Sequence, residues 1–277
     1  MHRSKSLRHM TAYLILIAGA LLTLLPIWYM VITSLKPNAQ VYELPPRLWP
    51  REITLQNFSD ALSKANFDVY FRNSAIVAIA TVLLTILVSS LLAYAFARLN
   101  FPFKEPLFYL LLLGMMVPPV MLIIPQFIIA KNLNLLNSLQ GLFLVYTTMN
   151  ISMQTFLLRG VFEDIPNDLV EAALIDGGSN LDIFRHVILP LSGPGLAVVT
   201  INAFLYAWEE FAWANVAVTK DPFRTVPIGI AFFQSQHLTL WSQVFAASVL
   251  ALIPVVIVFL VFQRQFVRGI STTGLKG

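Results

Sequence analysis

The stretch Ile165–Pro190 reads I-P-N-D-L-V-E-A-A-L-I-D-G-G-S-N-L-D-I-F-R-H-V-I-L-P, and it decides how the rest of the chain is read. Pro166 suits a first helical position, where a missing N–H costs nothing. A short helix over Asn167–Asp176 is expected, with Leu169, Val170, Ala173 and Leu174 on one face. Gly177 and Gly178 are able to take the left-handed conformation that ends such a helix. Ser179 can cap a second helix, with Asp182 three residues on as a variant of the capping box. That second helix presents Leu181, Phe184, Val187 and Ile188 and is expected to stop before Pro190. The product is two short helices at a sharp glycine elbow. Ala172 and Ala173 are small, which lets another surface approach closely. Six of the chain's 14 acids fall within Arg159–Pro190: Glu163, Asp164, Asp168, Glu171, Asp176 and Asp182. The same segment carries only Arg159 and Arg185 as fixed positive charges. Such a stretch is either a solvated loop or a docking surface for a soluble partner.

The chain around this elbow is 277 residues long, 57% hydrophobic and 12% charged. Soluble domains run nearer a quarter charged, and the mean hydropathy of +0.75 says that much of the chain is solvated by lipid. A membrane-spanning helix needs about 20 mostly apolar residues. Six stretches qualify: Thr11–Thr33, Ser74–Ala97, Leu107–Ala130, Leu139–Leu158, Pro194–Thr219 and Trp241–Gln263. Each is a continuous apolar run rather than an alternating one, which excludes a strand-built barrel. The expected fold is therefore all-α, with six transmembrane helices. The first span follows Arg3, Lys5 and Arg8, as a signal peptide would, but it is too long for one and no A-x-A site follows, so it reads as an uncleaved anchor. Zero cysteines exclude thiolate metal sites and cysteine nucleophiles. His2, His9, His186 and His237 offer no metal-ligand pair at helical spacing. The net charge of +4 comes without a dense Lys/Arg stripe outside the termini, so no nucleic-acid partner is expected.

With the N-terminus inside, inner segments carry ten Lys/Arg: Arg3, Lys5, Arg8, Arg98, Lys104, Arg159, Arg185, Arg264, Arg268 and Lys276. The outer segments carry eight: Lys36, Arg47, Arg51, Lys64, Arg72, Lys131, Lys220 and Arg224. Six spans place both basic termini on one side, and the positive-inside rule puts that side in the cytoplasm. The organisation expected is a cytoplasmic N-terminus over 1–10, a first span over 11–33 and an extracytoplasmic loop over 34–73. A five-helix core over 74–263 follows and contains the cytoplasmic loop 159–190, and a cytoplasmic tail covers 264–277. The outer loop holds Leu44-Pro45-Pro46 and Trp49-Pro50, so it should be irregular with short helices.

Polar residues inside the spans are the candidate functional groups. In the fifth, Asn202, Tyr206, Glu209, Glu210 and Trp213 follow i, i+4, i+7, i+8, i+11, one face of a continuous helix. In the fourth, Thr147, Asn150 and Gln154 follow i, i+3, i+7, with Tyr146 beside them. Two polar stripes on apolar helices suit a lined pathway, and equally suit hydrogen bonds between helices. Glu209 and Glu210 are adjacent, so on a helix they point about 100° apart and do not form a catalytic carboxylate pair. No Ser/His set or metal cluster accompanies them. Pro118, Pro119 and Pro125 break the third span's hydrogen-bond ladder, giving either a static kink or a bending point. Gly269 and Gly274 have P-loop glycine spacing, but Leu275 stands where Lys is required, and the segment reads as a flexible tail.

Glu171-Ala172-Ala173, Asp176-Gly177, Phe184, Val187, Leu189 and Pro190 resemble the EAA loop of importer-type ABC transporter permeases. Further stretches are similar to the sugar-importing, MalG-like carbohydrate branch of that family. They are Ser34-Leu35-Lys36-Pro37, Ala93-Tyr94-Ala95-Phe96-Ala97-Arg98-Leu99, Met116-Val117-Pro118-Pro119 and Gln263-Arg264-Gln265-Phe266-Val267-Arg268-Gly269, together with Gly274-Leu275-Lys276-Gly277. One departure is Trp208-Glu209-Glu210-Phe211, where the branch usually reads Trp-Asn-Asp/Glu-Phe, and Gly178 stands where Ala is frequent. The resemblance implies a type I importer permease in a bacterial or archaeal cytoplasmic (inner) membrane, multi-pass and without enzymatic activity. Its partners would be a second permease subunit, two ABC ATPases that hold ATP and Mg, and an extracytoplasmic solute-binding protein delivering a sugar-like solute. No cofactor would sit on this chain. Coupling to the ATPase would fall to Glu171, Ala172, Ala173, Asp176, Gly177, Phe184, Leu189 and Pro190, with a tail contact at Gly274 and Lys276. Tyr146, Thr147, Asn150, Gln154, Asn202, Tyr206, Glu209 and Glu210 would be the translocation-pathway candidates. The alternative is a self-sufficient carrier with Glu209 or Glu210 as a proton site. Such carriers often show internal repeats, and none is visible between the halves.

Overall fold

The computed structural model describes residues 2–64, 66–233 and 239–273. Among these, every regular element is helical. The order is α1 His2–Ser34, α2 Asn38–Val41, α3 Gln56–Lys64, α4 Phe67–Arg98, α5 Lys104–Leu113, α6 Ile123–Asn132, α7 Leu139–Glu163, α8 Asn167–Ile175, α9 Asn180–Ile183, α10 Leu189–Leu191, α11 Gly193–Glu209, α12 Ala212–Ala217, α13 Val226–Phe232 and α14 Trp241–Thr273. Four helices are long and apolar enough to cross a membrane on their own: α1 from Met10, α4, α7 and α14 to Arg264. The count reaches six when each of two bent helix pairs is taken as one span.

The expected third span is one of these pairs. Its first half, through Met116, and its second half, Pro119–Asn132, meet at 96°. The cause is local. A residue before proline is pushed out of the α region, and here two such residues stand in series: Val117 at ψ 120 and Pro118 at ψ 129 are both extended. Pro125 causes no break, because it sits in the first turn of α6, where its absent N–H is not needed.

The chain forms two compact units, Met1–Asp68 with Gly229–Ile253, and Val69–Ile228 with Pro254–Gly277. In the first, the segment after α1 is tied down by polar contacts and includes the short helices expected of it. Asn57 donates to the carbonyls of Ser34 and Lys36 at 2.7 and 2.8 Å. The Lys36 ammonium donates to the Arg47 carbonyl at 2.6 Å, and burial lowers its pKa from the ordinary lysine value, against an opposing pull from Glu43. Trp49 packs edge-on against Trp28 at 5.6 Å.

In the second unit, an apolar cluster joins α4, α7 and the elbow. Ala93, Tyr94, Leu158, Phe162, Ile165, Ile183, Phe184, Ile188 and Val199 are all buried there. Arg159 clips α5 to α7: it makes a bidentate pair with Glu105 at 2.8 and 3.2 Å, bonds Glu163 at 2.8 Å and lies 4.1 Å over the Phe108 ring. The far end of α4 grips the turn before α13, through Tyr70 on Asp221, Asn73 on the carbonyls of Pro222 and Arg224, and Ser74 on the Val226 N–H.

Candidate coupling elbow and translocation cleft

Helix α8 ends as its sequence demands. Gly177 has φ +85, the left-handed conformation that glycine adopts without a Cβ penalty. Its N–H donates to Leu174 O at 3.0 Å and the Gly178 N–H donates to Ala173 O at 2.9 Å, the paired bonds of a Schellman close. Of the two glycines, only Gly177 is left-handed. Ser179 and Asp182 then form the full reciprocal capping box of α9. Ser179→Ala is expected to cost about 1 kcal/mol of local stability. The check is faster amide exchange at residues 180–183 with the rest of the elbow unchanged.

Two expectations about the second arm are corrected. It does not stop before Pro190, and it is not purely α-helical: Phe184–Ile188 is a π turn, and α10 carries the helix through Pro190 to Leu191. The wide turn closes with Leu189 N–H on Phe184 O, so the ladder is already re-registered where proline brings no donor. The faces also divide differently from the expected stripe. Val170 and Ala173 pack against the buried cluster, while Leu169, Leu174 and Leu181 are exposed, as is Ile175 at 86%. Among the coupling candidates, Glu171, Ala172, Asp176, Gly177 and Pro190 are exposed. Phe184 is buried with its ring 5.1 Å from Tyr94, and Leu189 packs on the same cluster. These two hold the elbow from beneath. Gly274 and Lys276 lie outside the described residues.

Sequence reasoning missed the residues that fasten the elbow. Arg98, the last residue of α4, donates to the carbonyls of Phe162 and Ile165 and to Asn167 Oδ1. One turn earlier, Tyr94 donates to Asn180 O at 2.9 Å. The sequence showed Arg98 as a topology charge and as part of the stretch Ala93–Leu99, but not its role, because its partners lie more than 60 positions away.

Tyr206, Glu210 and Trp213 of the fifth-span stripe line a small cleft with Pro119, Gln126 and Met149, while Thr147, Asn150 and Gln154 of the fourth-span stripe do not line it. Tyr146 is buried, donates to Glu210 Oε2 at 2.7 Å and faces the Tyr206 ring edge-on at 5.8 Å. Glu210 also accepts from the backbone N–H groups of Trp213 at 2.7 Å and Ala214 at 3.1 Å. From the position before the N-cap, Phe211, this carboxylate therefore takes up two of the unpartnered N–H groups in the first turn of α12. It corrects the single fifth span: α11 ends at Glu209, Glu210 is extended at ψ 124, and α12 restarts at Ala212. Residues 202–213 consequently share no continuous helical face. Thr147 and Asn150 are buried and bond to carbonyls of their own helix, Phe143 O and Tyr146 O. Gln154 is buried, Asn202 half-buried and Glu209 exposed. Tyr146, Tyr206 and Glu210 are thus brought together, and the other pathway candidates are not part of that group. Among the described residues, no three or more histidine or carboxylate side chains form a group that could hold a metal ion.

Residues 85–272 match the family described as the binding-protein-dependent transport system inner membrane component. The chain belongs to that family. The sulfoquinovosyl glycerol transport system permease of Agrobacterium fabrum is 37% identical over 99% of this chain and 94% of its own length. The trehalose/maltose transport system permease of Thermococcus litoralis is 36% identical over 95% and 97%. A crystal structure of a bacterial ABC transporter that imports alginate has the same fold, with TM-score 0.77 over 95% of this chain and 98% of the compared chain at 23% identity. The protein is an ABC importer permease, a multi-pass membrane component of a binding-protein-dependent system. The proton-carrier alternative finds no support in this family; of its two candidate sites, Glu209 is exposed and Glu210 is held by Tyr146 and two backbone N–H groups.

Proposed function

We propose that this permease forms one half of the translocation pathway of an ATP-driven sugar or oligosaccharide importer and receives the drive through its elbow. The observation that carries the reading is the elbow's construction. A left-handed Gly177 and a complete capping box hold two short helices at a fixed angle. Their outer face presents Leu174 and Ile175 beside the acids Glu171 and Asp176. An exposed apolar surface rimmed by charge marks an interaction site. Two ABC ATPases would hold ATP and Mg, and their closure would push the elbow; this chain would carry no cofactor and no chemistry of its own. A second permease subunit would complete the pathway. An extracytoplasmic binding protein would deliver solute to the loops Lys36–Phe71 and Lys220–Leu240. Both termini would lie in the cytoplasm. The sugar class is supported by the relatives, whose names carry sulfoquinovosyl glycerol and trehalose/maltose.

The test is a mild-detergent pull-down of the tagged chain from its native membrane, with mass spectrometry of the co-purifying proteins. A P-loop ATPase and a second multi-span protein are the expected companions. A chain that repeatedly emerges alone, or only with copies of itself, would overturn the reading.

A further inference from the structure

We propose that Arg98 is a positioning residue that makes the coupling elbow and the second span move as one body. The inference rests on the importer reading above and adds the route by which an elbow displacement reaches the membrane-spanning helices. The last four carbonyls of a helix have no partner within it and form the negative end of its dipole. The Arg98 guanidinium lies at that end of α7, on Phe162 O and on Ile165 O just beyond it, while its other arm holds Asn167 Oδ1 at the start of α8. Tyr94, on the same helix, holds Asn180 O at the start of α9. The inner end of α4 therefore grips the first residue of each arm of the elbow, on either side of Gly177. The Tyr94 and Phe184 rings and the buried cluster fill the space beneath. Only arginine presents a rigid fork of donors able to bridge several acceptors at once; lysine is a single point charge. Without the fork, the elbow would keep its own caps but could slide on α4.

The chain has no cysteine, so once the partner subunits carry no reactive cysteine, paired spin labels can be placed without background. Leu83→Cys on the exposed side of α4 and Asp168→Cys on the exposed first turn of α8 are suitable sites. The label separation is measured in the purified complex with its ATPase, without nucleotide and with ATP. With Arg98 in place, the separation is expected to be the same in both states. In Arg98→Ala it should shift between states, with a separate loss of solute uptake per ATP hydrolysed of at least tenfold. Arg98→Lys should fall between the two and carries the same test if Arg98→Ala does not accumulate. A separation that changes on ATP addition with Arg98 present, or stays constant in both variants, would overturn the proposal. A plain stabilising role would lower the yield and leave the coupling ratio unchanged, which also overturns it. Failure of the importer reading is distinguishable, because the Arg98-containing complex would then contain no ATPase.

Discussion

Gly177→Val is expected to leave the permease in the membrane at its ordinary level and to abolish uptake. A Cβ at Gly177 meets no atom within 4 Å, so no clash follows and the helices on either side keep their packing. The cost lies in the backbone. At φ +85 an ordinary side chain costs about 1–2 kcal/mol, and a β-branched one is a genuine outlier there. The elbow can relieve that strain only by leaving the left-handed region, which breaks the Schellman pair and turns α9 relative to α8. A docking surface built from both arms is lost by such a rotation, whereas burial elsewhere in the protein is not. Gly177→Ala should retain partial uptake. Gly193→Ala is the control, since its Cβ also meets nothing and its φ is ordinary; it should transport normally. Uptake assays alongside membrane immunoblots measure all three, and ordinary uptake by Gly177→Val would refute the role of the elbow angle.

What the sequence revealed and what it hid divide by distance along the chain. The elbow was legible because its signals are local: Pro166 opens it, Gly177 turns it, and Ser179 and Asp182 cap it within three residues. The prolines at 118 and 119 announced a break for the same reason. Their angle was not readable, because it depends on two consecutive extended residues acting together. The helical continuation through Pro190 was hidden by a π turn that no residue type encodes. The break at Glu210 was hidden for a different reason. No glycine or proline marks it, and the hydrophobic run passes straight over it. It exists because a carboxylate finds a phenol on another span, Tyr146, and two freed backbone donors. Arg98 is a similar case, since its three acceptors come from the end of another span and the start of the elbow.

Glu210→Ala is expected to be the most damaging change at the cleft, and the graded behaviour of its neighbours tells a structural acceptor from a proton site. The substitution removes the acceptor of three bonds at once. The Tyr146 hydroxyl, on a side chain only 1% exposed, would be left without its partner, at about 1–3 kcal/mol. Two N–H groups in the first turn of α12 would lose their acceptor as well, which adds to that cost. The purified complex should melt at a lower temperature and uptake should fall with it. Glu210→Gln keeps a carbonyl oxygen able to accept from the phenol or from a backbone N–H, so it should retain much of both properties. Tyr146→Phe removes the phenol together with its need for a partner, so it should cost less than Glu210→Ala. A proton site behaves otherwise. Glutamine cannot exchange a proton, so Glu210→Gln and Glu210→Ala would be equally inactive, with the complex containing Gln still fully stable. Melting temperature and uptake measured on the same three variants separate the two outcomes. If uptake tracks stability from Gln through Phe to Ala, the carboxylate acts by holding the broken fifth span in shape.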